Sequence, residues 1–583
     1  MDTIKKLPYG ISDFKQVIGD NYYYVDKSRY LALVEDYPVN LLCIRPRRFG
    51  KSLFLGMLDA YYDIEQKPRF DKTFGNLWIG SHRTKEQGRY QVLRFDFSNV
   101  GGAGSLETLE ENFNGYCCGI IDEFAEKYAA FYRPTFLGRI MKASTARDKL
   151  TILDAAAKNL EHPLYLIIDE YDNFTNIVLG EHGKDKFEQI THASGFYRDI
   201  FKIFKGMFYR IFLTGVSPVT LDDLTSGFNI DWNISTDPHF NAMLGFSETE
   251  VREMFQYYKE VGVLTTEPAA LIEDMCPWYD NYCFSEDALD EPRVFNSDMV
   301  LYYLDSWVKY GKAPKEMLDK NVRTDFNKLK MLVRLDKDQT LSGQRLSVIE
   351  EITAHEEISV DLKTSFPSYQ IMELENYRSQ LYYFGVLTIS GVYRGRLRMR
   401  IPNNSVRKQY FRFMLEYYQQ RHAADLSVIS RLYEAMVYDG AWRPFFEFIG
   451  ETYQANGSVR DALEGERNVQ GFLKAYLSLA DYYLMKSELE MNYGYGDLAL
   501  LPDKTHYPDV AHSYLIELKY AKAGATEAEM EAQRAAGRAQ LLQYREDKVA
   551  RRLAEGTQLH LLLLQFKTWE SMFLEEIENS IDN

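Results

Sequence analysis

Short apolar runs recur along the first part of the chain, and stretches of helical periodicity separate them. The runs lie at residues 39–44, 91–97, 164–168 and 210–214. The second run alternates between apolar and polar residues, whereas the third, LYLII, is apolar throughout, as expected of a strand buried on both faces. Strands that alternate with helices predict an α/β fold with a mostly parallel sheet.

The middle of the chain reads mainly as helices, from about residue 231 to 345. One helix is predicted to begin at Ser247, because SETE supplies an N-cap followed three residues later by a glutamate. Residues 375–401 then predict a helix, a strand, a turn and a second strand, and a further helix follows Asn404. This order resembles a winged-helix unit. The alternating arginines from Arg394 to Arg400 are either a solvated strand face or a surface that touches phosphates.

The last part of the chain predicts a second, smaller α/β unit. It is helical again from about residue 430, and two strands are predicted at 496–501 and 513–520. A long Ala- and Gln-rich helix follows from about Thr526, and residues 558–566 (QLHLLLLQF) predict a last buried strand.

Composition and charge narrow the class of protein. The 583 residues carry a formal net charge of −17, which argues against a broadly basic nucleic-acid coat but leaves a local basic groove open. The start of the chain lacks the apolar run of a signal peptide, and no stretch reaches the length of a membrane span. Five scattered cysteines favour neither a disulfide framework nor a zinc site. We therefore expect a cytoplasmic protein that does not enter a membrane.

A phosphate-binding loop is predicted at residues 45–52, RPRRFGKS. The full pattern is GxxxxGK(S/T), and here Arg45 replaces its first glycine. Gly50 would let the backbone approach the phosphates, Lys51 would reach the β and γ oxygens, and the Ser52 hydroxyl would ligate Mg²⁺. Three preceding loop residues belong to the same predicted nucleotide-binding set: Arg47, Arg48 and Phe49, of which the arginines add positive charge.

A second acidic motif, LYLIIDEYDN, lies downstream of this loop. Asp169 ends a predicted strand, where its carboxylate would hold Mg²⁺, and Glu170 would orient the attacking water. Thr214 ends the next apolar strand, and two interpretations remain open for it: a sensor of the γ-phosphate or an ordinary polar strand end. Together these residues predict a site for ATP and Mg²⁺.

The N-terminal motifs resemble those of the bacterial AAA-ATPase-like family, whose members often carry a C-terminal PD-(D/E)XK nuclease-like domain. The resemblance rests on LPYGISDFKQVIGDNYYYVDKSRYL, RPRRFGKSL, LIIDEYDN, FLTGVSPVT and LGFSETEV, and it covers most of the first 300 residues. Family members share the RPRRFGKS form, so Arg45 does not argue against nucleotide binding. Tyr24, Asp26 and Lys27 belong to a recurrent YVDK element whose role the sequence leaves open.

A second constellation lies near the C-terminus. Glu517 and Lys519 are two apart on a predicted strand and so point to one face, and Asp497 precedes Glu517 by 20 residues, enough for a strand, a turn and a return. Two carboxylates and a lysine at one edge can hold Mg²⁺ and polarise a water beside a scissile phosphate. The resemblance adds Glu488 as a metal ligand, and it likens Gln540 and Tyr544 to the Q-x-x-x-Y of RecB-type nucleases.

These observations lead to a fold and a function as expectations. We expect a P-loop AAA-ATPase-like domain (1–230), a helical lid (231–345), a winged-helix-like region (346–430) and a restriction-endonuclease-like PD-(D/E)XK α/β domain (431–583). The first would bind and hydrolyse ATP with Glu170 as a catalytic residue. The last would cut nucleic acid, with DNA favoured over RNA, and its catalytic residues would be Asp497, Glu517 and Lys519. Homo-oligomerisation is left open. The alternative is a nucleotide-switch signalling or scaffold protein with an inactive nuclease-like domain.

Overall fold

The structure is a computed structural model that describes the chain from residue 4 to 577, with gaps. The residues outside the description are 1–3, 159, 193–194, 220–231, 320–347, 349–350, 353–355, 368–369, 372, 422–423, 456–464, 492–493, 546, 549–551, 553–554, 569–570 and 578–583. The chain forms two compact units, residues 1–331 with 359–403, and residues 332–358 with 404–583.

The first unit alternates helices and strands. Its described helices are α1 (Phe14–Gly19), α2 (Arg29–Glu35), α3 (Lys51–Tyr62), α4 (Phe70–Phe74), α5 (Trp78–Ser81), α6 (Leu106–Lys127), α7 (Thr135–Lys142), α8 (Ala146–Ala157), α9 (Asn173–His182), α10 (Lys184–Thr191), α11 (Phe196–Met207), α12 (Glu248–Glu260), α13 (Pro268–Tyr279), α14 (Ser297–Tyr310) and α15 (Leu374–Tyr383). Its described strands are β1 (Asn40–Ile44), β2 (Gln91–Asp96), β3 (Leu164–Asp169), β4 (Arg210–Gly215), β5 (Trp232–Asn233), β6 (Phe246–Ser247), β7 (Val294–Phe295), β9 (Thr388–Tyr393) and β10 (Arg396–Arg400), while β8 (Glu357–Val360) lies at the boundary between the units.

A parallel sheet forms the core of this unit, with strand order β2-β3-β4-β1-β5. Every residue of β3 and β4 is buried, because helices cover both faces of these central strands. Helix α11 shows how the covering works: it buries four residues at helical spacing, and one of them, Phe204, lies 5.8 Å from the ring of Phe95 on β2. The carboxyl ends of β1, β3 and β4 therefore meet at one edge of the sheet.

Two smaller sheets belong to the rest of this unit. Strands β6 and β7 pair antiparallel, and helix α12 follows β6 directly with Ser247 as its N-cap. Ser247 and Glu250 form a complete capping box, which confirms the helix start predicted from SETE. Strands β9 and β10 form an antiparallel hairpin in a sheet of order β8-β10-β9.

The second unit is a mixed sheet with helices. Its described helices are α16 (Asn404–Arg421), α17 (Leu426–Asp439), α18 (Trp442–Ala455), α19 (Glu466–Leu477) and α20 (Glu527–Arg545), and its strands are β11 (Tyr483–Met491), β12 (Gly494–Pro502), β13 (His512–Ala521), β14 (Gln558–Lys567) and β15 (Ser571–Glu576). The strands follow one another in chain order across the sheet, with β13 and β14 parallel and the other neighbours antiparallel. Leu541 and Tyr544 of α20 pack with Leu515 and Leu563 into the core.

The predicted fold class is confirmed: a parallel α/β sheet comes first and a second α/β unit follows. Two details are wrong. Residues 483–491, in the stretch predicted to be helical, form strand β11, and residues 558–566 are not the last strand. Strand β15 follows and pairs antiparallel with β14 as the edge of the sheet. Its sequence, SMFLEE, contains too few apolar residues to give a buried-strand signal. The four-domain division stays a prediction.

Candidate nucleotide and metal sites

The phosphate-binding loop connects the buried strand β1 to helix α3. Gly50 is the N-cap of α3 and has φ +90°, a left-handed conformation that glycine adopts without strain. Arg48 also has a positive φ, 68°. The loop therefore winds tightly around the first turn of α3, whose backbone N–H groups have no partner within the helix. Such a turn at a helix N-terminus is suited to binding an anion.

Three predicted residues meet at the carboxyl edge of the parallel sheet. The Ser52 hydroxyl donates a hydrogen bond to Asp169 Oδ2 at 2.6 Å, and the Thr214 hydroxyl donates to Asp169 Oδ1 at 2.7 Å. Asp169 and Thr214 are each only 1 % exposed. Strand β4 lies between β1 and β3 in the sheet, which explains how Thr214 reaches Asp169. The carboxylate is held in a fixed orientation next to the start of α3.

Lys51 lies beside the same carboxylates. Its ammonium donates hydrogen bonds to the carbonyl oxygens of Arg45 (3.0 Å) and Pro46 (2.9 Å), so it is folded back along its own loop. Burial lowers the pKa of Lys51, and the charges of Glu170 and Asp169 oppose that shift. These two opposing effects show that the ammonium is desolvated and close to both acids.

The two arginines before Phe49 each contact an acid. Arg47 lies 3.2 Å from Glu170 Oε2 and donates to Asn173 Oδ1 at 3.0 Å. Arg48 lies 2.9 Å from Asp298 Oδ2 on helix α14. The loop is thereby connected to the end of β3 on one side and to α14 on the other.

Arg45 and Phe49 have structural contacts. Arg45 is 1 % exposed and donates to the backbone carbonyls of Ser235 and Phe240, while its guanidinium lies 4.2 Å from the ring centroid of Phe284. The Phe49 ring packs edge-on against Tyr282 and Phe284. Arg45, which replaces the first glycine of the motif, therefore stabilises the buried backbone around it. Its guanidinium is directed at carbonyl oxygens and not at the predicted phosphate site.

A cavity of about 480 Å³ opens beside the phosphate-binding loop. Its lining includes the whole predicted nucleotide loop from Arg47 to Ser52, together with Glu170. Another part of its wall comes from the N-terminal segment around Tyr23 and Tyr24 and from residues 243–246. Asp169 and Thr214 do not line the cavity, since they are buried behind Ser52.

The YVDK element stabilises that wall. The Lys27 ammonium lies 2.8 Å from Glu250 Oε1 and donates to the Ala242 carbonyl at 2.9 Å, and burial lowers its pKa. Asp26 accepts a hydrogen bond from the backbone N–H of Trp78. These long-range contacts were not predictable from the sequence, in which the recurrent YVDK was the only signal.

A second cluster lies on strands β12 and β13. The Lys519 ammonium is 2.6 Å from Glu517 Oε1, and Asp497 Oδ2 accepts a hydrogen bond from the Leu518 N–H at 2.8 Å. Gln470 of α19 donates to the Asp497 backbone carbonyl. The structure therefore brings Asp497, Glu517 and Lys519 together, as the strand spacing predicts.

The electrostatics of this cluster are unusual. Burial, reinforced by the charge of Asp497, raises the pKa of Glu517 to about 7. Burial acts in the opposite direction on Lys519, but its hydrogen bond to Glu517 and the charges of both acids raise its pKa overall. Glu517 Oε2 is buried and has no hydrogen-bond partner among the described residues. A carboxylate oxygen in that position fits a cation.

Helix α20 covers the cluster. Burial raises the pKa of Tyr544 to about 12, with smaller contributions from the charges of Glu517 and Asp497, so Tyr544 lies near both acids. Gln540 is hydrogen-bonded to Tyr544. A methyl group at Gly537 would lie 2.6 Å from Leu563 Cδ1 and 3.6 Å from Glu517 Cγ, so this glycine allows the helix to approach.

Two further acids lie on elements that neighbour this cluster, strand β11 and helix α19. Glu488 lies on β11 between Ser487 and Leu489, which pair with Leu498 and Gly496, but its side chain is outside the described residues. Glu466, in the first turn of α19, acts electrostatically on Glu517 and was not predicted from the sequence. The described residues contain no cluster of three or more His, Cys, Asp or Glu with metal-binding geometry.

Comparisons with known proteins find one family match in each half of the chain. Residues 8–225 match the family model described as a predicted AAA-ATPase, and residues 464–576 match the PD-(D/E)XK nuclease superfamily. The chain thus contains a predicted AAA-ATPase region followed by a PD-(D/E)XK nuclease-superfamily region. Both matches include the predicted site residues, Gly50 to Ser52 with Asp169 in the first and Asp497 to Lys519 in the second.

Two individual proteins align with part of this chain. An uncharacterized protein in the vnfD 5′ region of Azotobacter chroococcum mcd 1 is 26 % identical over 294 residues, 49 % of this chain and 50 % of that protein. The chain thus spans about half the length of this curated relative. The Aeropyrum pernix ORC1 protein, solved in complex with DNA, aligns at 11 % identity over 66 % of this chain and 91 % of its own, but a TM-score of 0.24 supports no argument. Among the described helices, none has the length and apolar character to cross a bilayer.

Proposed function

We propose that this AAA-ATPase-like protein binds and hydrolyses ATP with Mg²⁺ at the phosphate-binding loop, and that its PD-(D/E)XK region cleaves nucleic acid with Mg²⁺. The observation that carries the proposal is the convergence of Ser52, Asp169 and Thr214, hydrogen-bonded in one row, beside a cavity lined by the same loop.

The residues around the loop suit a nucleotide. The first turn of α3 and Lys51 would bind the phosphates, Ser52 and Asp169 would hold Mg²⁺, and Glu170 would position the attacking water. The cavity wall near Tyr23 and Tyr24 offers aromatic surface to the base. Thr214 donates a hydrogen bond to Asp169, so it would sense the γ-phosphate only through that carboxylate.

The second cluster suits phosphodiester hydrolysis. Asp497 and Glu517 would hold Mg²⁺, which would stabilise charge at the scissile phosphate, and Glu488 and Glu466 are further candidate ligands. Lys519 would position the attacking water or stabilise the developing negative charge, and its raised pKa keeps it charged. Tyr544 and Gln540 would hold the acids in place.

A cleavage assay tests the nuclease part of the proposal. Purified protein with Mg²⁺ or Mn²⁺ is incubated with single- and double-stranded DNA and RNA, with and without ATP, alongside a Lys519→Ala variant. We expect metal-dependent cleavage that falls by about a hundredfold or more in the variant. Lys522→Ala, a change at an exposed lysine three residues further along, is the matched control. Equal cleavage by wild type and Lys519→Ala would reject the assignment.

One observation favours the alternative, a nucleotide switch with an inactive nuclease-like region. The Lys519 ammonium lies 2.6 Å from Glu517 Oε1, so a side chain of the protein already compensates part of this carboxylate's charge. Absence of cleavage of every substrate, together with nucleotide-dependent oligomerisation, would establish this alternative.

A further inference from the structure

The hairpin of β9 and β10 presents a row of arginines to solvent. Residues 388–400 contain four arginines and no acid, in a chain whose net charge is −17. All four are exposed: Arg394, Arg396, Arg398 and Arg400. Met399, between the last two, is fully buried, so the arginines of β10 share the solvent face of the strand.

The tip of the hairpin is narrow and carries an aromatic ring. Arg394 and Gly395 form a two-residue turn with φ +52° and +74°, the pattern of a type I′ turn. Val392 and Tyr393, which precede the turn, are 48 % and 57 % exposed. The Arg394 guanidinium lies 5.1 Å from the centroid of the Tyr393 ring. The outer half of the hairpin therefore combines positive charge with an exposed aromatic surface.

The base of the hairpin is fixed to the first unit. The Cys283 N–H donates to the Thr388 hydroxyl at 2.7 Å, and the Ile389 N–H donates to the Cys283 carbonyl. The neighbours of Cys283, Tyr282 and Phe284, are the rings that pack against Phe49 of the phosphate-binding loop. A rigid base with an exposed outer half is the form of an arm that contacts another molecule.

We propose that this hairpin, residues 388–400, binds the sugar–phosphate backbone of nucleic acid. Its arginines stand two residues apart, so the row on β10 spans ~13 Å. A row of this length can contact more than one phosphate of a nucleic-acid strand. Arg396 lies 2.6 Å from Glu375, but a guanidinium has five N–H donors and can bind a phosphate in addition.

The kind of molecule that the hairpin binds is inferred from the positive charge of the hairpin and from another region of the same chain. A row of arginines attracts any polyanion, and the exposed Tyr393 adds a surface on which a base or sugar can pack. The same chain contains a nuclease-superfamily region. The choice of nucleic acid over an anionic membrane therefore rests on the proposed nuclease function, whereas the binding measured below does not depend on cleavage.

Binding is tested with an Arg394→Gln/Arg398→Gln variant in the full-length protein. Fluorescence anisotropy follows a labelled DNA duplex, single-stranded DNA and duplex RNA in EDTA, without nucleotide, across a salt series. The control, Arg133→Gln/Arg139→Gln, removes the same charge from two exposed arginines elsewhere in the first unit. Since all four side chains are exposed, we expect unchanged thermal unfolding in both variants.

Near 0.1 M salt we expect the affinity of the hairpin variant for nucleic acid to be lower than that of the wild type by roughly tenfold or more. The slope of log affinity against log salt should decrease in magnitude by about 2, and the control variant should behave as the wild type does. If wild type and both variants bind equally, the proposal is overturned, whatever the cleavage assay shows. Weaker binding by the hairpin variant, together with a wild-type protein that binds but cuts nothing, would support the hairpin and reject the nuclease. The proposal would also be overturned if the hairpin bound phosphatidylserine vesicles while the hairpin variant kept the DNA affinity of the wild type.

Discussion

Arg47 and Glu170 form an ion pair with 3.2 Å between the guanidinium and Glu170 Oε2, and both residues line the cavity beside the phosphate-binding loop. Glu170 has a left-handed backbone conformation with φ 48°, which is strained for a residue with a side chain. The strain places the carboxylate at the cavity, next to Asp169. A γ-phosphate would compete with Glu170 for Arg47 and so release the carboxylate toward the attacking water.

A Glu170→Gln variant separates binding from hydrolysis. The amide keeps the shape of the side chain but cannot accept a proton or orient water as a carboxylate does, so hydrolysis should fall by about a hundredfold or more. ATP affinity should stay within a few-fold of wild type. Phosphate release and equilibrium binding measure the two quantities, and undiminished hydrolysis would contradict the role of Glu170.

Arg45 is expected to matter for stability. An Arg45→Ala variant leaves the buried carbonyls of Ser235 and Phe240 without their donor, which should cost about 2–5 kcal/mol and lower the unfolding temperature of the first unit. Arg47→Ala is the matched control, because that side chain is partly exposed and its loss should weaken ATP binding with little effect on unfolding. Thermal unfolding and ATP titration of both variants measure the contrast. If Arg45→Ala weakened ATP binding without affecting unfolding, and Arg47→Ala did the reverse, Arg45 would be placed at the phosphates.

The stability of the second unit should decrease between pH 4.5 and 7. The pKa of Glu517 is raised from 4.5 to about 7, so in this range the folded protein holds a proton that the unfolded chain has lost. Added Mg²⁺ should reverse the trend above pH 7, because it binds the ionised carboxylate. Glu517→Gln should flatten the profile, which calorimetry or chemical unfolding at several pH values would measure. An equally steep fall in Glu517→Gln would show that another group is responsible.

Gly537 is expected to control the position of helix α20 over Glu517. A Gly537→Ala change places a methyl group 2.6 Å from Leu563 Cδ1, so either the buried Leu563 side chain or α20 itself has to move beside Glu517. We expect lower cleavage activity and a lower unfolding temperature. Gly138→Ala in helix α7, where a methyl group meets nothing within 4 Å, should be neutral or stabilising by about 0.5–1 kcal/mol. Full cleavage activity in Gly537→Ala would contradict the close packing.

The parts of this structure that the sequence predicts are those with strong local signals. Continuous apolar runs predicted β3 and β4, and the capping residues predicted the start of α12 at Ser247. The pairing of Ser52 with Asp169 could be expected because the carboxyl ends of parallel strands meet at one edge. The spacing of Glu517 and Lys519 on one strand likewise predicted their contact.

The parts that were missed depend on contacts between distant residues. Lys27 and Glu250 are 223 residues apart, and neither side chain by itself indicates a buried ion pair. In the sequence, Arg45 is only a substitution in a motif, because the carbonyls that surround it come from residues about 190 positions away. Edge strand β15 has weak apolar character, and its pairing with β14 determines its conformation. In each case tertiary packing decided the structure.

Titration of Mg·ATP into the wild type and a Lys51→Ala variant tests the nucleotide site most directly. Lys15→Ala is the control. Lys15 is exposed and carries the same charge as Lys51, and it contacts Asp59 of α3, the helix that begins at Lys51. We predict that the dissociation constant rises roughly tenfold or more in Lys51→Ala and stays unchanged in Lys15→Ala, because a charged hydrogen-bond donor to the phosphates is lost. Equal ATP affinity in all three proteins would contradict the assignment of the phosphate-binding loop.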